Sequence, residues 1–396
     1  MQTVILAAGE GTRMRPLTES VPKPMLPVAG KPLLGHTVDG AMEAGASRIV
    51  IVVGYKSETV EAYFEEERAG VPIDFVNQES QRGTADAVRA ARDALDPEPF
   101  VVLNGDVLYD QPSLNTLYTD FPAVGSYRVD DPSNYGVLVL SESGERVRGV
   151  IEKPADPPSQ VINTGSYAFP EAALEYLDVG ESERGELELT DVLERTCESF
   201  DVANVPFDRW LDVGRPWELL EANEWQLEGV ASRIDGTVHE DAVLDGRVVV
   251  EDEARIRSGV VIEGPAVIGN GAEVGPNAYV RGATYLGEDV KVGHSVEVKN
   301  SVLLAGTSVG HLSYVGDSIL GEDVNFGAGT TIANLRHDDE AVSMMVKGER
   351  VSTGRRKFGA VCGPRAKTGI NTSLNAGVKL PAGGRTKPGE TVLRDP

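Results

Sequence analysis

The run Leu6-Ala7-Ala8-Gly9-Glu10-Gly11-Thr12-Arg13 follows directly on a short apolar stretch, and Pro22-Lys23-Pro24 comes soon after it. Small residues let a backbone approach phosphate oxygens closely, and the N–H groups of such a loop bind them. Arg13 and Lys23 add two cations for phosphates. The prolines flanking Lys23 restrict the backbone around it. The third glycine of a dinucleotide fingerprint is missing, and no Gly-Lys-Ser/Thr of a P-loop follows. The loop suits the handling of a nucleoside triphosphate. A second candidate lies far downstream. His311 stands in Gly310-His311-Leu312-Ser313-Tyr314-Val315-Gly316-Asp317, a segment that interrupts a regular repeat.

These residues need elements to hold them. The first part of the chain alternates strand and helix patterns. Gln2–Ala8, Arg48–Val53, Ile73–Asn77 and Phe100–Leu103 read as strands; Glu58–Glu67 and Thr84–Leu95 read as helices. Such βα alternation predicts an open, mostly parallel, Rossmann-like sheet, which binds ligands at the carboxyl ends of its strands. The loops after Ala8, Asn77 and Leu103 therefore belong at one rim. Residues 123–169 are strand-rich and are expected to extend the sheet and cover a second substrate. Pro216 suits the first turn of a connector helix running to about Glu228.

From Val238 to Leu304 every sixth residue is aliphatic, and the phase resumes at Leu320, Phe326 and Ile332 after a slip. Neither a helix nor a single strand has period six. A solenoid of short strands does, with three hexads per triangular coil. The chain thus reads as a nucleotide-handling domain over 1–228 and a β-helix over 231–396.

Net charge is −25, with 62 acidic against 37 basic residues, and 11 of the basic ones are lysines. That surface repels nucleic acid and anionic lipid, and it suits a salty cytoplasm in which screening weakens self-repulsion. No stretch approaches a membrane span. The two cysteines, Cys197 and Cys362, form no Cys-x-x-Cys pair, which argues against a disulfide framework or structural zinc and for a cytoplasmic setting.

Over 1–228 the motifs resemble sugar-1-phosphate nucleotidylyltransferases. Besides the loop, the resemblance rests on Gln78 with Gly83-Thr84, Asn104-Gly105-Asp106, Tyr135-Gly136, Glu152-Lys153-Pro154, Asn163-Thr164-Gly165, Glu188-Leu189-Thr190-Asp191 and Trp210-Leu211-Asp212-Val213-Gly214. It implies that Gln78, Gly83 and Thr84 read the base and that Gly105 lies with the nucleotide. It implies Mg²⁺ on Asp106 and Asp212. Gly136, Glu152, Lys153 and Asn163 would meet the sugar phosphate. In that chemistry a sugar-1-phosphate oxygen attacks the α-phosphorus of UTP or dTTP, and pyrophosphate leaves. A phosphomonoester has its second pKa at about 6, so no general base is required. Lys23 would act on the α-phosphate and Arg13 on the pyrophosphate.

The repeat region resembles hexapeptide-repeat transferases, which implies a left-handed parallel β-helix. More narrowly, it resembles the acetyltransferase half of the bifunctional enzymes that make UDP-N-acetylglucosamine. His311 matches a catalytic base, for which an imidazole of ordinary pKa about 6.5 is suited. Arg281, Lys299, Tyr314 and Asn325 match substrate contacts, and Ala328 and Asn334 match acetyl-CoA contacts. Gly282 and Leu335 stand where that family more often has proline and tyrosine. The basic residues Lys347, Arg350, Arg355, Arg356 and Lys357 stand out in so acidic a chain and suggest a phosphate of coenzyme A or of the sugar; pairing with a neighbouring subunit is the alternative. The family completes this site between chains, which implies a homotrimer. Two rival readings are a glucose-1-phosphate uridylyl- or thymidylyltransferase with a structural β-helix, and a non-catalytic regulatory subunit.

Overall fold

Gln2–Leu6 has no polar side chain that water could reach, and Val4 and Ile5 are fully buried. A strand of that kind belongs at the centre of a sheet covered on both faces. In the computed structural model, which describes residues 1–66, 70–182 and 185–395, it lies between Arg48–Val53 and Phe100–Asn104, parallel to both. Ile73–Asn77 adds a fourth parallel strand beside Arg48–Val53. On the other side Val161–Phe169 joins Phe100–Asn104 antiparallel, and Gly136–Leu140 and Val147–Glu152 continue outward. Ala123–Arg128 and Ala203–Pro206 extend the sheet along a branch. Residues 123–169 therefore widen the sheet, as their pattern predicted.

Two expected elements differ. The helix expected over Thr84–Leu95 ends at Ala90 and is followed by a separate 3-10 turn, Arg92–Ala94. The side chain of Gln2 receives the N–H of Asp96 and donates to the carbonyls of Asp96 and Glu98, so the chain beyond the turn is tied to the start of the central strand. The helix expected from Glu58 runs Ser57–Glu66; Glu67 lies outside the described residues.

The chain groups into two compact units. One comprises Met1–Glu10, Pro22–Met25 and Pro32–Asp212; the other comprises Gly11–Val21, Leu26–Lys31 and Val213–Pro396. The helix Pro216–Glu228 begins with the proline that its missing N–H favours, and it groups with the second unit.

The second unit is a parallel β-helix. Its short strands form three sheets of 8, 6 and 8 strands, and each strand pairs with its counterpart one coil away. Val250, Ile268 and Leu286 stack inward at a spacing of 18 residues. The next partner of Leu286 is Leu303, 17 residues on, not Leu304 as the unbroken hexad count predicted. One residue is missing from that coil. A second residue is missing between Val315 and Leu320, so that Leu320 pairs with Leu303, again 17 residues back, and Val309, Val315, Leu320, Phe326 and Ile332 carry the core forward. Corners require left-handed backbone. Gly306 (φ 70°) and Asp323 (φ 56°) occupy the same corner in successive coils. A Cβ on Gly306 would lie 2.5 Å from Asp323 Oδ1. After Ile332 the chain leaves the solenoid for a hairpin, Ser343–Val346 with Glu349–Ser352, and returns at Val361–Cys362.

Candidate active sites

Three backbone hydrogen bonds align the loops at the carboxyl rim of the parallel strands. Ala7 N–H donates to Val52 O at 2.8 Å, Gly105 N–H to Leu6 O at 2.9 Å and Gln78 N–H to Val53 O at 2.8 Å. Ala7, Ala8 and Gly9 thus leave the central strand between the loops that carry Gln78 and Asp106.

Asp106 and Asp212 are 106 positions apart, yet the short antiparallel pair Val107–Tyr109 with Trp210–Asp212 sets Asp212 opposite Val107. Lys23 Nζ lies 2.5 Å from Asp106 Oδ2 and 3.8 Å from Asp212 Oδ1. Its side chain is 7% exposed, while the two carboxylates are 31% and 30% exposed. Beneath them, burial pushes the Tyr109 hydroxyl far above its ordinary value, and the two carboxylates push it further. It stays neutral and accepts the Asn104 N–H at 3.1 Å.

Among the described residues no group of three or more His, Cys, Asp or Glu is arranged around one point. Two hard carboxylates at a phosphate-binding rim nevertheless fit Mg²⁺. That ion is usually held by one or two carboxylates, with phosphates and water completing the shell.

At the base side, Gln78 Nε2 donates to Asp86 Oδ2 at 3.0 Å and to Gly83 O at 3.3 Å. Burial works against the Asp86 charge, but hydrogen bonds from Gln78 and Arg89 and the charges of Arg82 and Arg89 hold its carboxyl below the usual range. The amide of Gln78 is therefore oriented, with Oε1 left as the group to offer a ligand. Gly83 has φ 123°, and a Cβ there would lie 2.6 Å from Leu187 N. Thr84 Oγ1 accepts the Leu189 N–H at 3.0 Å. The Gly83-Thr84 motif thus fastens this loop to the segment before the helix Leu189–Ser199. Gln81, which the motifs did not single out, donates to Ala8 O at 2.7 Å and ties the base loop to the phosphate loop.

On the sugar side, Gly136 pairs in register with Glu152, and Lys153 Nζ lies 3.6 Å from Glu152 Oε1. Asn163 Oδ1 accepts the Gly165 N–H at 2.9 Å, and its Nδ2 donates to the Tyr167 hydroxyl at 2.5 Å.

Gly11, Thr12 and Arg13 belong to the second unit. Thr12–Met14 forms a 3-10 turn, and Thr18 Oγ1 donates to Gly11 O at 2.9 Å. The Arg13 guanidinium packs over Gly214, where a Cβ would lie 2.9 Å from it. Gly214 N–H donates to Glu218 Oε2 at 2.8 Å, at the start of the helix Pro216–Glu228.

On the β-helix, Arg281, Lys299 and Gly316 form one column of successive coils. Arg281 pairs with Glu297 at 2.7 Å. Lys299 Nζ lies 2.7 Å and 3.0 Å from the two oxygens of Asp317. Asn334 Nδ2 donates to Asp317 Oδ2 at 2.5 Å and to the Tyr314 hydroxyl at 3.1 Å. Burial and then the Asp317 charge raise the Tyr314 hydroxyl above its ordinary value, so it keeps its proton as a donor. His311 sits on the adjoining sheet, exposed and in register with His294. Asn325–Phe326 pairs with Ser308–Val309 on that same sheet, and Gly329 N–H, next to Ala328, donates to His311 O at 3.1 Å. Lys299, Tyr314 and Asn334 are brought into one network. His311 and Asn325 share the sheet beyond the corner at Leu312–Ser313, and Ala328 lies in the turn that follows Phe326.

Two members of the basic cluster form ion pairs within the chain. Arg355 joins Glu224 of the helix Pro216–Glu228, and Arg356 pairs with Asp339 at 2.6 Å. Arg350 lines a cleft of about 350 Å³ together with Leu335, Arg336, His337 and Asn375.

Fold and sites together define a sugar-nucleotide transferase sheet on a chain that also carries a hexapeptide β-helix. The nucleotidyl transferase family matches residues 2–229, and the GMPPB C-terminal domain family matches residues 262–381. A bifunctional sugar-1-phosphate nucleotidylyltransferase/acetyltransferase of Sulfurisphaera tokodaii is 40% identical over all of this chain and 98% of its own. A bifunctional protein GlmU of Methanococcus vannielii is 42% identical over 96% of this chain and 92% of its own. The structure of UDP-glucose pyrophosphorylase complexed with UDP-glucose aligns with 57% of this chain and 98% of that one, at 27% identity and a TM-score of 0.52. The chain belongs to the family of bifunctional sugar-1-phosphate nucleotidylyltransferase/acetyltransferases, and it is an enzyme. No helix among the described residues is long and apolar enough to cross a membrane.

Proposed function

We propose that this enzyme makes UDP-N-acetylglucosamine in two steps: acetyl-CoA-dependent N-acetylation of glucosamine-1-phosphate, then uridylyl transfer from UTP to the product. The observation that carries the reading is identity of 40% to a bifunctional relative along the entire chain, because it spans both sets of motifs at once.

In the uridylyl step the sugar phosphate supplies its own nucleophile, so the protein's task is to gather anions and balance charge. Lys23, buried between two carboxylates, is fixed where an α-phosphate would arrive; Arg13 receives the departing pyrophosphate. Mg²⁺ held by Asp106, Asp212 and substrate phosphates would neutralise charge on the reacting phosphoryl group. Gln78 Oε1 accepts a hydrogen bond from the imide N–H of uracil or thymine, which cytosine and adenine lack. Glu152, Lys153 and Asn163 hold the sugar phosphate.

In the acetyl step the sugar amine attacks the thioester carbonyl, a C–N bond forms, and the C–S bond breaks. His311 takes the amine proton and passes it to the leaving thiolate of coenzyme A. Lys299 and Arg281 hold the sugar phosphate and Tyr314 the sugar, with Asn325, Ala328 and Asn334 beside the reacting groups and acetyl-CoA. A neighbouring subunit of a homotrimer completes the site, and the protein works in the cytoplasm.

The likeness to UDP-glucose pyrophosphorylase, together with Leu335 in place of a tyrosine, favours one second reading: glucose-1-phosphate uridylyl transfer with the β-helix as scaffold. Paired variants separate the two. Asp106→Asn is expected to abolish nucleotidyl transfer and spare acetylation. His311→Ala is expected to lower acetylation by about 10²–10⁴-fold and spare nucleotidyl transfer. Equal loss of both activities in a well-folded variant overturns the two-site reading. Acetylation by His311→Ala at the wild-type rate removes the histidine from the mechanism.

A further inference from the structure

Asp317 is 2% exposed, yet it is a carboxylate, and burying an unpaired charge is costly. Its oxygens are fully engaged. Lys299 Nζ reaches both, at 3.0 Å and 2.7 Å. Asn300 Nδ2 donates to Oδ1 at 3.0 Å, and Asn334 Nδ2 to Oδ2 at 2.5 Å. Asn334 in turn reaches the Tyr314 hydroxyl, and Asn300 reaches Glu224 Oε1 at 2.7 Å. Asp317 itself has φ 50°, a left-handed conformation that Asp and Asn tolerate better than most residues. A carboxylate in that strained corner gathers residues from three separate stretches of chain onto one point.

We infer that Asp317 is a positioning residue of the acetyl-transfer site: its carboxylate aims Lys299 at the sugar phosphate and, through Asn334, orients the Tyr314 hydroxyl. The inference rests on the acetyltransferase reading above. Lys299 has three N–H donors, of which Asp317 takes two. The third is left pointing in a fixed direction, instead of sweeping with a flexible four-carbon stem. The amide of Asn334 is fixed likewise, because Nδ2 donates to both Asp317 and Tyr314, which leaves Oδ1 for a ligand. Asp317 acts through these groups and touches no substrate.

The test is steady-state acetylation of glucosamine-1-phosphate by the full-length protein, with acetyl-CoA and amino-sugar phosphate varied separately. Asp317→Asn keeps the shape and suits the backbone but cannot hold Lys299 by charge. We expect KM for glucosamine-1-phosphate to rise at least 10-fold and KM for acetyl-CoA to stay within twofold, because an amide oxygen at 317 still accepts from Asn334 while the charge that holds Lys299 is gone, and we expect nucleotidyl transfer to be unchanged. On a Lys299→Met background the same substitution should cost less than a third of its effect in the wild type on a logarithmic scale. Asn300→Gly, which accepts a positive φ and removes one donor to Asp317, should raise the same KM several-fold and keeps the test open if Asp317→Asn does not fold. A wild-type KM in both variants overturns the inference. So does an equal rise in both KM values, or full additivity with Lys299→Met, since these mark a general structural role. A wild-type protein that acetylates no amino-sugar phosphate overturns the acetyltransferase reading itself, and the Asp317 role falls with it.

Discussion

The base contact proposed for Gln78 depends on a neighbouring carboxylate. Asp86 orients Gln78, and Arg82 and Arg89 hold Asp86. Because its folded-state pKa lies below the ordinary value, its contribution to stability is present above the ordinary carboxylate range and is lost as pH falls through the folded value. Asp86→Asn is therefore expected to be less stable than the wild type at pH 7, with the gap in urea midpoints closing toward pH 3; a gap that widens on acidification contradicts the assignment. The same variant should raise KM for UTP about 10-fold, since an amide can turn either way toward Gln78. Much of the first site was legible from residue types. Gly9, Gly11, Lys23, Asp106 and Asp212 sit in contiguous motifs, and the metal roles proposed for the two aspartates come from the family resemblance. Asp86 and Gln81 were not, because a lone Asp or Gln in a helical or loop stretch carries no signal until its partners are placed. Asp317 was visible as part of a motif, but nothing local revealed that it would join Lys299, Asn300 and Asn334.

At the scale of elements, the period of six predicted three sheets and inward aliphatic columns, and both are present. The first missing residue was not legible in place, because Leu303 and Leu304 are both apolar and either could continue the column. Only pairing with Leu286 decides for Leu303. The end of the helix at Ala90 was equally hidden, because the partner of the segment that follows it, Gln2, lies over 80 positions away. The corners are the solenoid's stiffest demand. Gly306→Ala places a Cβ in left-handed backbone and against Asp323, which should cost about 1–2 kcal/mol. Thermal unfolding followed by circular dichroism checks this, and an unchanged midpoint contradicts it. Acetylation at temperatures well below the midpoint should be unaffected.

The whole molecule carries two chemistries on one chain, and that is the claim on which the rest depends. A solenoid with flat faces and a family whose acetyl site spans subunits lead us to expect a homotrimer through residues 231–396. Light scattering in high salt, where a net charge of −25 is screened, should give three times the chain mass of 42.2 kDa; a monomer contradicts the assembly. The most direct measurement is a single reaction with wild-type protein, Mg²⁺, glucosamine-1-phosphate, acetyl-CoA and UTP, resolved by product. We predict free coenzyme A, pyrophosphate and UDP-N-acetylglucosamine, with no UDP-N-acetylglucosamine when acetyl-CoA is left out and restoration by N-acetylglucosamine-1-phosphate alone. Pyrophosphate release with glucose-1-phosphate, and no coenzyme A release with any amino-sugar phosphate, would contradict the account and leave the β-helix as a scaffold.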